Sequence, residues 1–289
     1  MIAALLAASL HAAVLDAPAK CSPIPGAEAL WRDDVRYVFV GETHGTTEAP
    51  AAFGELVCAA LEQGPVTVSV EYPVQMQPML DAFMAADSDT AARAALAAYK
   101  YGPFVHHDGR GSSAMLDLLL RIRAMAKAGE DVTLVASVPD SPRAEGFSQS
   151  YSEMDRAVLW GRQAMARPQA RVMVLVGRVH AEKMRRVGSP LGLPAAAHIR
   201  PEETVSLSVA YQGGEAWTCR DECGATPILV TDAGEARGVV LASQQDGNSM
   251  ACSRSARSPH QRRSGPDLTS SQPAKNSASR SGHVGDLPT

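Results

Sequence analysis

The segment RYVFVGETHGTTE, residues 36–48, joins a short apolar run to a glycine turn that carries ionisable side chains. The run Arg36–Val40 is rich in β-branched and aromatic residues, which is typical of a buried strand. Gly41 permits a tight turn directly after it, and His44 follows three residues later. The segment therefore predicts a strand whose far end presents an imidazole.

A second segment, VMVLVGRVHA at residues 172–181, repeats the same order and places His180 three residues after Gly177. Short apolar runs of this kind predict buried strands of a mostly parallel sheet. The remaining runs of this character are Val66–Val70, Val132–Val138 and, as additional edge strands, Val205–Val209 and Gly238–Leu241.

Helical periodicity fills the gaps between the strands. Apolar residues recur at i, i+3, i+4 and i+7 from Phe53 to Leu61 and from Met115 to Ala126. The stretches 75–99 and 152–166 are also predicted to be helical. Because strands alternate with helices, the sequence predicts an α/β fold, a mostly parallel sheet flanked by helices on both faces.

The composition of the two ends differs from that of the body. Residues 1–13, MIAALLAASLHAA, form a short apolar run that ends in an Ala-x-Ala-like stretch, so residues 1–19 are predicted to be a signal peptide and leader. The run lacks a basic start, and a frayed N-terminal helix is the alternative. Residues 244–289 contain ten Ser and no aromatic residue, which predicts a disordered tail. A single α/β domain is expected over residues 20–243.

Charge and hydropathy exclude two classes of protein. The formal net charge is −4, which argues against general nucleic-acid binding. No apolar run reaches the roughly 20 residues that a membrane-spanning helix needs, so no integral membrane segment is expected. The predicted partner is a small-molecule or peptide substrate.

The five cysteines bear on the cellular compartment. Cys219 and Cys223 flank a short acidic turn and could close a small disulfide loop, which fits a periplasmic or secreted protein. Zinc would need two further ligands, and no second pair of this kind supplies them. Cys58 lies on an apolar helical face and is predicted to be a buried thiol. Cys21 and Cys252 lie outside the expected core and could be unpaired.

Ionisable residues follow three of the predicted strands. Ligands of open parallel sheets bind beyond the carboxyl ends of the strands. Glu42 and His44 follow the first strand, Glu71 directly follows the second, and His180 follows the fourth. Glu48 comes shortly after His44 and is either a substrate-binding group or a carboxylate that caps a helix.

A further cluster, residues 106–113, precedes a predicted helix. Arg110 is predicted to hold a carboxylate or an anionic substrate there. His107 is a second candidate for substrate binding, although adjacent histidines in a loop are often surface residues. The loop Pro139–Ser150 lies beside a strand end and is a candidate lid.

These motifs resemble those of the superfamily that joins ChaN-like haem-uptake proteins, erythromycin esterases, and the Tiki and TraB proteins. The matching elements are VGETHGTTE (40–48), Glu71 in VEYP, DGRGSSAM (108–115) and LVGRVHA (175–181). The resemblance implies an α/β fold with its site at the carboxyl edge of the sheet. It also implies three activities, because esterases hydrolyse without metal, Tiki-type relatives are metal-dependent peptidases and ChaN-like members bind haem.

The leading hypothesis from the sequence is an exported hydrolase of ester, amide or peptide bonds. His44 would be the general base on water, with Glu42 or Glu71 orienting it, while His180 and Arg110 stabilise the charge on the attacked carbonyl. In the metal-assisted version, His44, His180 and Glu71 bind a divalent ion such as zinc or manganese. The alternative is a ChaN-like protein that binds haem or another small molecule without catalysis.

Overall fold

A computed structural model describes residues 21–106, 109–140, 149–189, 191–219, 222–231, 238–241 and 249–251. The predicted leader, His107 and most of the predicted lid and tail lie outside these residues. Within the predicted tail, Ser249–Ala251 form a short strand.

The strands form one large sheet and one hairpin. Their bounds are β1 Tyr37–Glu42, β2 Val66–Pro73, β3 Val132–Val138, β4 Arg171–Gly177, β5 Thr204–Ala210, β6 Glu215–Cys219, β7 Cys223–Pro227, β8 Gly238–Val240 and β9 Ser249–Ala251. Among the described residues the large sheet has seven strands in the order β3-β2-β4-β1-β5-β9-β8, and only β8 is antiparallel to its neighbour. The predicted mostly parallel sheet is confirmed, although β5 lies inside it rather than at an edge.

Helices cover both faces of the sheet, as predicted. They are α1 Glu48–Leu61, α2 Gln77–Ala85, α3 Asp89–Ala97, α4 Pro103–His106, α5 Ser113–Lys127, α6 Gln149–Ala166 and α7 Arg178–Ala181. The stretch 75–99 forms two helices rather than one. The second of these begins after Ser88, whose side chain accepts a hydrogen bond from the backbone N–H of Ala91.

The two faces of the sheet build two hydrophobic clusters. Side chains alternate along a strand, so Val38 and Val40 of β1 pack towards α1 and α5, while Phe39 packs on the other face. On that second face, Phe39 makes an edge-on contact with the fully buried Trp160 of α6. Helix α6 is thereby fixed against the carboxyl half of the sheet, beside the residues that follow β4.

Two strands continue into the predicted site. Strand β1 extends through Glu42, and β2 extends through Glu71 to Pro73. The pairing of β2 with β3 becomes irregular between Val70 and Pro73, so Glu71 lies where the regular ladder ends. Both carboxylates therefore belong to strand ends rather than to mobile loops.

The structure contains two disulfides among the described cysteines. Cys219 and Cys223 are joined across the β6–β7 hairpin. Cys58 is joined to Cys21, so the predictions of a free thiol at Cys58 and an unpaired Cys21 are wrong. The sequence showed Cys58 on a buried helical face but gave no sign that the chain at Cys21 returns to α1. No helix in the described part of the chain is long and apolar enough to span a membrane.

Candidate functional site

Four of the predicted site residues come together at the carboxyl edge of the sheet. Strand β4 lies between β1 and β2, so the residues that end these three strands are neighbours in space. Nε2 of His44 lies 3.3 Å from Oε2 of Glu71, and Nε2 of His180 lies 3.7 Å from Oε1 of the same carboxylate. Two imidazoles from distant parts of the chain thus face the two oxygens of one buried glutamate.

Glu71 is held in place by two further groups. The backbone N–H of Gly177 donates to Oε2 at 2.7 Å, and Nη1 of Arg156 lies 3.5 Å from Oε1. Burial alone would raise the pKa of Glu71, but the charges of Arg156 and His44 hold that pKa well below its usual value of 4.5. Glu71 is therefore an ionised carboxylate at neutral pH.

The imidazole of His44 lies between two carboxylates. Nδ1 donates to Oε1 of Glu42 at 2.8 Å, while Nε2 faces Glu71. Burial would lower the pKa of His44, but the charges of Glu71 and Glu42 outweigh it and raise that pKa from 6.5 to about 10. His44 is therefore an imidazolium at neutral pH. Its side chain is 32% exposed, so a substrate can reach the ring.

The imidazole of His180 has a different partner. Nδ1 donates at 2.7 Å to Oε1 of Glu153, a residue of α6 that is 1% exposed. The other oxygen of Glu153 accepts the backbone N–H of Ala195 at 2.8 Å. His180 lies deeper in the protein than His44: its side chain is only 16% exposed.

Close packing of glycines makes this arrangement possible. A Cβ on Gly177 would lie 3.1 Å from Nε2 of His44 and 3.5 Å from both Oε2 of Glu71 and Cδ2 of His180. The side chains of His44, Glu71 and His180 thus all lie within contact distance of the position that a Cβ on Gly177 would take. A Cβ on Gly41 would lie 2.9 Å from the Cα of Arg178, so the last part of β1, where the sequence predicted a turn, packs directly on α7.

Residues far along the chain hold the turn that carries His44. Gly45 has φ +85°, and its carbonyl accepts the N–H of Trp217 in β6 at 3.0 Å. The hydroxyl of Tyr211 accepts the N–H of Thr43 at 3.2 Å. A Cβ on Gly109 would lie 2.6 Å from the backbone nitrogen of Gly45. The β6–β7 hairpin and the loop before α5 therefore buttress this turn.

The remaining predicted site residues lie around the cluster. Arg110 follows Gly109, and its backbone carbonyl accepts the hydroxyl of Tyr72 at 2.9 Å. This places the loop of Arg110 beside the end of β2, while its predicted role towards substrate stays a prediction. Glu48 is the first residue of α1, and the choice between its two predicted roles stays open.

Sequence reasoning missed Glu153 and Arg156, although both are buried charged residues of α6. A signal existed, because Glu153, Ala157, Trp160 and Ala164 share the spacing of one buried helical stripe, with Arg156 beside it. Charged residues on such a stripe need partners in the interior. The sequence did not show which partners these were.

The side chains fit neither of the predicted cofactors. No group of three or more His, Cys, Asp or Glu in the described part of the chain is arranged to hold a metal ion. Nη1 of the cationic Arg156 lies 3.5 Å from Oε1 of Glu71 and would repel a metal ion bound to that carboxylate. For haem, a ligating imidazole needs a free lone pair that the iron can reach, whereas His44 is protonated on both nitrogens and the side chain of His180 is only 16% exposed. The chemistry of the site is therefore that of its own side chains.

Comparison with known proteins shows a likeness of structure. No protein-family model and no curated protein sequence matches the chain. The structure is similar to an erythromycin esterase, a mutant of EreC in its open conformation, with a TM-score of 0.54, 11% identity, and coverage of 71% of this chain and 79% of the esterase. At this identity the likeness concerns the fold, and it confirms the fold that the resemblance of the motifs implied.

Two weaker matches have TM-scores below one half. They are the type III effector HopBA1, with a TM-score of 0.48, 15% identity and coverage of 82% of this chain and 99% of the effector, and a Bacillus cereus protein, with a TM-score of 0.49, 12% identity and coverage of 73% and 74%. Fold and site together define an α/β protein with a mostly parallel sheet, at whose carboxyl edge two imidazoles face one carboxylate.

Proposed function

We propose that the protein is a hydrolase of ester or amide bonds that needs no metal ion. The observation that carries the proposal is the convergence of His44 and His180 on Glu71, at distances of 3.3 and 3.7 Å. Two imidazoles at one edge of the sheet can supply both the proton acceptor and the proton donor that hydrolysis requires. The likeness of fold to an erythromycin esterase supports the same class of reaction.

The two imidazoles have different roles, because their charged neighbours differ. The pKa of His44, raised to about 10 by Glu71 and Glu42 against the opposing effect of burial, makes it a proton donor at neutral pH. His180 then accepts the proton of the attacking water, whose oxygen bonds to the carbonyl carbon. When the bond to the leaving group breaks, the leaving group takes the Nε2 proton of His44. The π pair of the carbonyl moves to its oxygen when water attacks and re-forms the C=O bond when the leaving group departs, so the step ends with His180 protonated and His44 neutral.

The assignment of water activation to His44, which the sequence suggested, requires the opposite behaviour. A base must be unprotonated, so kcat/KM would climb about tenfold per pH unit between pH 7 and 10. With His44 as donor, kcat/KM falls as the pH passes about 10. A pH profile of ester hydrolysis therefore decides between the two assignments.

Buried polar atoms without a hydrogen bond lie beside the cluster and fit a site that accommodates water or substrate. Oε2 of Glu42 and Nη1 of Arg156 are buried without a hydrogen bond among the described residues. Buried polar groups of this kind commonly pair with ordered water or a ligand. The two disulfides support the further proposal that the protein works in an oxidising compartment, periplasmic or extracellular.

The test is hydrolysis of a panel of activated esters and anilides by the purified protein. We expect turnover that is insensitive to chelators and falls by about 10²–10⁴ in His44→Ala. The matched control is His198→Ala, in the 3-10 turn Ala195–His198 outside the cluster. Absence of turnover on the whole panel, or equal turnover in the two variants, would overturn the proposal.

A further inference from the structure

We infer that Glu153 is a positioning residue that holds His180 as its Nδ1–H tautomer, so that Nε2 is the proton acceptor. The inference deepens the proposed function and rests on it for its catalytic consequence. Glu153 lies on α6, far along the chain from either glycine turn, and nothing in the motifs themselves provides this partner.

The hydrogen bonds of Glu153 determine the tautomer. Oε1 lies 2.7 Å from Nδ1 of His180, and an ionised carboxylate can only accept. The ring must therefore carry its proton on Nδ1. In the neutral ring the lone pair is then on Nε2, the atom that lies 3.7 Å from Oε1 of Glu71.

The backbone N–H of Ala195 fixes the direction of the Glu153 carboxylate. It donates to Oε2 at 2.8 Å, and both groups are buried. The position of Oε2 must therefore hold a hydrogen-bond acceptor, because a buried N–H without a partner is costly. Only the position of Oε1 remains to contact His180.

The contrast with His44 supports this role. His44 has a carboxylate at each ring nitrogen, at 2.8 and 3.3 Å, and so binds two protons. His180 has one close carboxylate, while Glu71 lies 3.7 Å from its other nitrogen. With His44 protonated, the three carboxylates Glu42, Glu71 and Glu153 face two cations, His44 and Arg156. A cation that forms on His180 during the reaction therefore faces Glu153 and Glu71.

The substitution Glu153→Gln reverses the tautomer while it keeps the shape of the side chain. Because Ala195 needs an acceptor, the amide oxygen takes the place of Oε2, and the NH₂ group faces Nδ1 of His180. That NH₂ can only donate, so the ring must carry its proton on Nε2. An analogous wrong-tautomer effect lowers kcat by about 10⁴ when the orienting aspartate of a serine protease is replaced by asparagine.

The experiment measures the tautomer and the kinetics in the full-length protein. Imidazole ¹⁵N and ¹³C NMR, with the His180 signals assigned by their loss in His180→Ala, should show Nδ1–H in the wild type and Nε2–H in Glu153→Gln. The kcat for an activated ester should fall by about 10²–10⁴ with KM changed less than about threefold. Asp155→Asn, on the exposed side of the same helix, is the matched control. Glu153→Asp keeps a carboxylate and should retain Nδ1–H and lose less activity than Glu153→Gln.

The readouts separate the two proposals. An unchanged tautomer in a folded Glu153→Gln protein, or a kcat equal to that of Asp155→Asn, overturns the role of Glu153. Absence of ester or amide turnover in the wild type overturns the proposed function and the catalytic consequence drawn here. In that case the NMR spectra still decide whether Glu153 sets the tautomer.

Discussion

The two Gly-x-x-His motifs have the same pattern and the same place in the sheet, but they obtain their carboxylates differently. The motif after β1 contains its own partner, because Glu42 lies two residues before His44. The motif after β4 has Arg178 and Val179 in the middle and takes its partner, Glu153, from α6. The first unit is therefore encoded locally, and the second exists only once a helix has packed on the sheet. A short motif predicts where an imidazole will lie, but not what orients it.

The largest expected effect comes from removing the imidazoles of His44 and His180, singly and together. His44→Ala and His180→Ala should each lower kcat/KM for ester hydrolysis by about 10³, since each removes one side of the same proton exchange. The double variant should lose less than about tenfold more than either single variant, because residues that act as a unit are not additive. Initial rates with an activated ester measure all three losses.

Two outcomes contradict that prediction. Losses that multiply in the double variant would show that the two motifs act independently. A fall of kcat/KM in only one of the two single variants would show that the other imidazole is a structural group. Melting temperatures of the three variants control for loss of the fold.

The carboxylate partners should differ in their tolerance of an amide. In Glu42→Gln the side chain can rotate, because Oε2 of Glu42 has no hydrogen bond among the described residues. The amide oxygen then still accepts Nδ1–H of His44, and we expect a loss of about tenfold in kcat, well below that of Glu153→Gln. One negative charge near His44 is also gone, so the alkaline fall of the pH profile should move below about 10. Equal kcat losses in the two variants would remove the distinction between the motifs.

A methyl group between the motifs should disturb both at once. In Gly177→Ala the new Cβ lies 3.1 Å from Nε2 of His44, so the ring or Glu71 must move by a few tenths of an ångström. We expect kcat/KM to fall by roughly 10–100-fold, since misplacement of about 1 Å can cost 10². Gly161→Ala in α6 is the matched control, because its Cβ meets no atom within 4 Å. It should keep full activity and, as a helix substitution, add about 0.5–1 kcal/mol of stability. Equal activity in the two variants would contradict the packing described here.

The smallest effect is on stability. The raised pKa of His44, about 10 against 6.5, means that the folded protein binds this proton more tightly than the unfolded chain. The resulting stabilisation is complete below pH 6.5 and is lost as the pH rises to about 10. Because the ring is partly exposed, we expect a difference on the order of 1 kcal/mol between wild type and His44→Gln at pH 6.5, shrinking towards pH 10. Urea unfolding of both proteins at the two pH values measures it, and a difference that grows with pH would contradict it.

The sequence predicted the sheet and most helices because hydrophobic periodicity is a local property. It also indicated Glu42, His44, Glu71 and His180 as candidates, since each directly follows a strand whose position could be inferred. Arg156, Glu153, Tyr211 and Trp217 were missed because their roles depend on how α6 and the β6–β7 hairpin pack on the sheet. The pairing of Cys58 with Cys21 was missed for the same reason. Long-range contacts leave only a weak pattern in a single sequence.

Glu71 has a consequence for how the site returns to its starting state. In the proposed mechanism each turnover adds a proton to His180 and removes one from His44, so a proton must pass from His180 to His44 before the next substrate reacts. Oε1 and Oε2 of Glu71 lie 3.7 and 3.3 Å from the two rings, so this carboxylate can carry the proton from His180 to His44 once the His180 ring moves to hydrogen-bond distance and the protonated carboxyl group turns. The steady-state rate should then be independent of buffer concentration, because the recycled proton need not come from solution.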